Sequence, residues 1–273
     1  MLAVALRQSA IAASARSLCR CRPCPAPLTR RYASGPHAAW ITYLRGYVAL
    51  CLHGYMHVIA LASRKGGAGK TTLASHLAVE AEVAGAGPVA VADTDPQGGL
   101  AGWWNARPAD TPRWIDPAHG LSAAVAAARG ARVGLLVIDT PPSIAETIAG
   151  VIEVADLVVI PVRPSPNDLR AVGGTIELAR RARKRMVFVV SQATQRARIM
   201  AEAAIALSQH GTVAPVMIHH RVDFASSMTG GATVVELDPE GRGAGEIRAL
   251  WAYLRNLLTE DADNVANAAR AAE

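Results

Sequence analysis

Residues Lys65 to Thr72 read Lys-Gly-Gly-Ala-Gly-Lys-Thr-Thr, directly after the apolar run His57 to Ser63 and directly before a helix-forming stretch that begins at Leu73. This is a phosphate-binding loop. Gly66, Gly67, Ala68 and Gly69 form a cradle whose backbone N–H groups can curl around phosphate oxygens. Lys70 can reach the β- and γ-phosphates, and the Thr71 hydroxyl is placed to ligate Mg2+. Polyphosphate then sits on a helix N-terminus, where unsatisfied N–H groups and the macrodipole favour anions. Thr72 either bonds the α-phosphate or caps the helix. Two departures from an ordinary loop stand out: Lys65 adds a second lysine near its start, and Arg64 stands where a glycine is usual.

Outward from the loop, apolar runs rich in β-branched residues recur at 57–63, 88–92, 133–138, 157–162, 186–191 and 213–218. Unbroken runs of this kind mark parallel strands covered on both faces. Helical patterns lie at 71–84, 98–106, 119–129, 144–151, 167–184, 197–210 and 243–258, and residues 107–117 read as a Pro-containing connection. The alternation predicts an α/β fold with a doubly wound, mainly parallel sheet. Ligands of such sheets bind at the carboxyl ends of the strands.

Two further segments end strands in acidic residues: Val89-Ala-Val-Ala-Asp-Thr-Asp-Pro-Gln-Gly98 and Leu135-Leu-Val-Ile-Asp-Thr-Pro-Pro142. With the double-lysine loop they resemble, in order, the deviant Walker A motif, the Asp-x-Asp-Pro-Gln-Gly motif and the Walker B strand of the ParA/MinD family of dimeric P-loop ATPases. The resemblance runs from about Met56 to about Leu258. It implies ATP and Mg2+ as ligands and an ATP-dependent homodimer in which Lys65 reaches the partner subunit's nucleotide, while Lys70 acts within its own subunit. It also implies that Asp95 orients the attacking water, that Asp139 reaches Mg2+ beside Thr71, and that Thr140, Pro141 and Pro142 sense the γ-phosphate. Asp93 is assigned to the Mg2+ shell or to closing its turn; a strand-end cap is the structural alternative for both Asp93 and Asp95. The family usually reads adenine with an asparagine after the strand Val187 to Val190, where this chain has Ser191 and Gln192.

The formal charge of +6 is unevenly placed. Of 28 basic and 22 acidic side chains, residues 1–55 hold seven arginines and no acid, which leaves 21 basic against 22 acidic beyond them, a net −1. Any nucleic-acid binding by the core must therefore use a local patch. All four cysteines (Cys19, Cys21, Cys24 and Cys51) lie in the same segment. A core without cysteine excludes the iron–sulfur functions of some relatives, and the cysteine cluster lacks a companion at zinc-site spacing. Residues 1–55 are read as sequence ahead of a start at Met56, with a transit peptide and a membrane anchor as the other readings.

The function implied is that of a ParA-type partitioning ATPase: ATP drives dimerisation, the dimer binds DNA non-specifically, and a ParB-type partner stimulates hydrolysis and release. The expected place of action is the cytoplasm, on the nucleoid. Arg196, Arg198 and Arg221 are candidate DNA contacts, and Arg180-Arg-Ala-Arg-Lys-Arg185 is either a second patch or a dipole-complementing helix end. A MinD-like membrane-surface ATPase is the alternative, but the tail 259–273, read as frayed, opens with Glu260-Asp-Ala-Asp263, the wrong sign for anionic lipid. A P-loop amidoligase or synthetase remains a third reading.

Overall fold

Within each apolar run, alternate residues turn to opposite faces, and that alternation builds two cores on one sheet. Ile59, Leu61, Val89, Val91, Leu135, Val137, Leu157, Val159, Val187 and Val189 pack into one core. Val58, Ala60, Ala90, Ala92, Leu136, Ile138, Val158, Ile160, Phe188 and Val190 pack into the other. A strand buried on both sides has no polar face to show, so the runs are continuous rather than alternating.

The computed structural model describes residues 56–194 and 197–271, with side chains described up to residue 260. The expectations about residues 1–55, including the cysteines, lie outside the described residues, as does Arg196. Along the chain follow β1 (His57–Leu61), α1 (Lys70–Val83), β2 (Val89–Asp93), α2 (Gly99–Asn105), β3 (Arg113–Trp114), α3 (Leu121–Gly130), β4 (Leu135–Asp139) and α4 (Ala145–Val154). Next come β5 (Leu157–Val162), α5 (Pro166–Ala171), α6 (Gly173–Arg181), β6 (Arg185–Ala193), α7 (Ala197–Ser208), β7 (Thr212–Val213) and β8 (Ile218–His219). The chain closes with α8 (Val222–Met228), α9 (Val234–Leu237) and α10 (Arg242–Ala271).

The sheet order is β3-β2-β4-β1-β5-β6-β7, with β8 paired to β6, and every pairing is parallel. Helices α1 and α10 cover one face through Leu73, Leu77, Ile247, Leu250 and Leu254. Helices α3, α4, α6 and α7 cover the other through Ala128, Ile148, Ile176 and Leu207. Central β1 lies between β4 and β5, so the loop after it opens where the winding reverses direction, the ligand position of doubly wound sheets.

Four expectations are corrected. The helix read at 167–184 is two helices, because Gly173 and Gly174 have low helix propensity and the Arg64 side chain occupies the space over Gly174, where a Cβ would meet its terminal nitrogen at 2.5 Å. The run 213–218 splits into β7 and β8 around Pro215, which has no N–H for a ladder. The connection 107–117 contributes β3, which adds an edge to β2. Finally the helix read at 243–258 spans Arg242–Ala271 as α10, as an alanine-rich stretch favours. Among the described residues no helix is long and apolar enough to cross a membrane.

Candidate functional site

The loop leaves β1 and returns as α1 through two left-handed glycines, Gly67 at φ +73° and Gly69 at φ +92°. A side chain at either position would be strained, so the loop needs glycine there. Gly69 is the N-cap of α1 and provides no side-chain cap, which leaves the first-turn N–H groups for an anion. Thr72 is therefore not the cap. Its carbonyl instead holds buried His76 (Nδ1 at 2.7 Å), and burial pushes that imidazole down to about 4.

Distant strands hold the loop in shape. The Ser191 hydroxyl donates to the Ala68 carbonyl at 2.7 Å, and Gln192 Nε2 donates to the Gly67 carbonyl at 2.6 Å. Gln192 has φ +50° at a bulge in β6, which turns its amide over the loop. Ser191 is buried, so the position where an adenine reader was expected is used to fix the phosphate cradle. Thr140 donates through Oγ1 to the Leu61 carbonyl at 2.8 Å and is fully buried. It pins the loop entrance, while Pro142 of the same segment lies beside Gly66, 3.8 Å from where its Cβ would be.

Lys70, Thr71 and Asp139 converge below the cradle. Thr71 Oγ1 donates to Asp139 Oδ2 at 2.5 Å. Asp139 is 1% exposed, and its carboxyl is pushed up to about 7, first by burial and further by the Asp93 charge, against the opposing Thr71 bond and the Lys70 charge. The Lys70 ammonium is also buried, and desolvation lowers its pKa although Asp139 and Asp95 pull the other way. Lys65 is different: its side chain is only partly buried and has no ion-pair partner among the described residues.

Asp93 accepts three backbone N–H groups, Asp95 on Oδ1 at 2.9 Å and Leu100 and Ala101 on Oδ2 at 2.9 and 3.0 Å. These bonds close the turn and anchor the start of α2. Asp95 accepts from the Gln97 N–H at 3.0 Å and lines a cleft of about 510 Å3 shared with Asp116, Trp114 and Leu121. A separate, smaller cleft of about 170 Å3 opens beside Gly69, Thr72, Leu73, Gln192 and Arg221.

Arg221, a candidate DNA contact, is partly engaged within the chain. Its guanidinium is ion-paired to Glu246 at 2.5 Å inside the smaller cleft, and Glu246 also binds the His219 ring and backbone N–H at 2.9 Å. Glu246 gave no signal in the sequence because it lies on a distant helix. Arg198 pairs with Glu202 on the surface of α7. The basic run starts in the last turn of α6 and is partly engaged within the chain: Arg180 donates to the His210 carbonyl, Arg181 pairs with Glu177, and Arg185 reaches the Leu257 carbonyl and Glu260. Trp103 and Trp104 are packing residues, their indoles donating to the Ala232 and Pro112 carbonyls. Among the described residues no group of His, Cys, Asp and Glu is placed to hold a metal by itself.

The family description CobQ/CobB/MinD/ParA nucleotide binding domain matches residues 59–234. The chain is 31% identical over 204 residues to the maintenance of carboxysome distribution protein A of Halothiobacillus neapolitanus, covering 69% of this chain and 91% of that protein. Among solved structures it resembles the septum site-determining protein MinD of Pyrococcus horikoshii complexed with Mg-ADP, with a TM-score of 0.62, 16% identity, and coverage of 74% of this chain and 97% of that one. It also resembles the ATP complex of a Cyanothece McdA variant, with a TM-score of 0.57, 16% identity, and coverage of 75% and 96%.

Proposed function

Because the chain belongs to the CobQ/CobB/MinD/ParA nucleotide-binding family, we propose that it is a ParA-type ATPase that dimerises on ATP, binds DNA non-specifically and positions a cargo through partner-stimulated hydrolysis. The observation that carries this reading is the unequal placement of two lysines in one loop. Lys70 is buried against the carboxylates of its own subunit. Lys65 stands unpaired at the loop's rim, available to a second nucleotide across a dimer interface. A cation delivered in this way stabilises the charge of phosphoryl transfer, as an arginine finger does.

Mg2+ fits the site, since the buried Asp139 carboxylate lacks enough positive charge nearby and the Thr71 hydroxyl is already directed at it. When bound, the ion neutralises charge on the phosphate oxygens. The chain's own residues supply the rest. Gly66 to Gly69 and the start of α1 grip the phosphates through N–H groups, and Asp95, held by Asp93, positions water. The likeness to a carboxysome distribution protein favours a large protein assembly as cargo over a plasmid. The activator is a ParB-type partner or its counterpart for that cargo.

Light scattering with ATP and with ADP tests the reading. Wild type is expected to double its mass on ATP only, Lys65→Ala to bind ATP but stay monomeric, and Lys70→Ala to lose nucleotide binding. Dimerisation and hydrolysis of Lys65→Ala at wild-type levels would remove the case for a lysine acting in trans.

A further inference from the structure

We propose that Arg163 is a further cation of the nucleotide site, gripping the last phosphate of ATP from the end of β5. The inference rests on the nucleotide-site reading above and names an additional ligand contact within it. Strand β5 runs parallel to β1 with Val159 opposite Leu61, so the chain leaving β5 at Arg163 emerges beside the chain leaving β1 at Lys65. The guanidinium lies against the loop itself: a Cβ on Gly67 would be 3.7 Å from one of its terminal nitrogens. Because Gly67 has no side chain, nothing of the loop stands between them.

The orientation is built by a buried acid. Arg163 Nε donates to Asp168 Oδ1 at 3.0 Å, and the second Asp168 oxygen accepts from the Ser165 hydroxyl. Asp168 is only 5% exposed, and its own N–H donates back to Ser165 Oγ, the N-cap of α5, at 3.2 Å. Arginine and carboxylate frequently pair fork to fork. Here one N–H of five is used, and the four on the terminal nitrogens have no protein partner among the described residues. The Arg163 side chain keeps 34% of its surface open. A guanidinium with a free edge suits a phosphate, which it can hold through two parallel bonds.

The position along the loop selects which phosphate. On this reading the smaller cleft, lined by Gly69, Thr72 and Leu73 from the C-terminal half of the loop, takes the nucleoside. The Gly66–Gly67 half is at the opposite end, so Arg163 meets the outermost phosphate, present in ATP and missing from ADP. Of the other arginines near the loop among the described residues, Arg64 lies over Gly174 and Arg221 is paired with Glu246.

Binding of ATPγS and of ADP to the full chain, each with Mg2+, tests this by calorimetry. Arg163→Ala should weaken ATPγS about 10- to 100-fold, the worth of a charged hydrogen-bond pair, and ADP by less than about threefold. Asp168→Asn keeps the positive charge but loosens its aim, and should lower the same ratio by a smaller factor. If Arg163→Ala leaves Asp168 too poorly compensated to fold, Arg163→Lys, which keeps the charge without the fork, should still lower the ratio. An unchanged ratio in Arg163→Lys and Asp168→Asn, or equal loss for both nucleotides, would overturn the inference. Measured in a Lys65→Ala background, which the reading above keeps monomeric, the ratio is separated from dimerisation and DNA, whereas a wild type that binds neither nucleotide overturns both readings.

Discussion

Replacing Asp139 by Asn in the metal- and nucleotide-free protein should reverse the sign of a pH effect on stability. The carboxyl has an ordinary value of 3.8 and is pushed up to about 7 in the fold by burial and by Asp93. Between these values the native state holds a proton that the unfolded chain releases, so stability falls as pH rises through the window. The full effect is about 4 kcal/mol, and about 2 kcal/mol of it lies between pH 5.5 and 8. His76 acts in the opposite sense over nearly the same range, because burial lowers it from 6.5 to about 4 and the unfolded chain then binds the extra proton. The two slopes oppose each other in the wild type. In Asp139→Asn the falling limb of this carboxyl is gone while the histidine slope remains, so stability should rise with pH towards about 6.5. Urea unfolding in chelator-containing buffers at half-unit pH steps measures this. Nucleotide with Mg2+ should flatten the Asp139 effect by favouring the ionised carboxylate. Parallel pH dependence in wild type and Asp139→Asn would refute the claim that this buried carboxyl is undercompensated in the empty site.

His76→Gln should show the complementary behaviour: without the imidazole, about 3 kcal/mol of acid destabilisation between pH 6.5 and 4 disappears, and an acid limb as steep as that of wild type would count against it. Asp95→Ala should stop hydrolysis while leaving an ATP-bound dimer, measured as retained nucleotide after gel filtration; loss of ATP binding would make Asp95 a structural residue. Protein beginning at Met56 should bind DNA only with ATP and lose at least about tenfold in affinity between roughly 50 and 200 mM salt, since its −1 net charge leaves a local patch as the source of attraction. Equal DNA affinity with ATP and ADP in gel-shift titrations would argue against the cycle.

What the sequence alone determined is chemistry carried by contiguous residues. Lys65 to Thr72 spell a phosphate cradle because glycines, a lysine and a hydroxyl must follow one another at fixed offsets, and Asp139 is legible as a strand-end acid because the apolar run before it is unbroken. The doubly wound sheet was legible for the same reason, since period and length mark buried strands one at a time. Contacts between segments were not. Gln192 reaches Gly67 across 125 residues, Ser191 reaches Ala68 across 123, and Arg163 comes to the loop only because β5 lies next to β1. An arginine after a strand looks the same in sequence whether it faces solvent, a carboxylate or a phosphate. Arg221 shows the converse: it reads as an available cation, yet Glu246 of α10 claims it. Strand order and burial decide which side chains meet, and these follow from packing the whole chain, so the tertiary structure alone shows that Arg163 lies against Asp168 and the loop while Arg221 lies against Glu246.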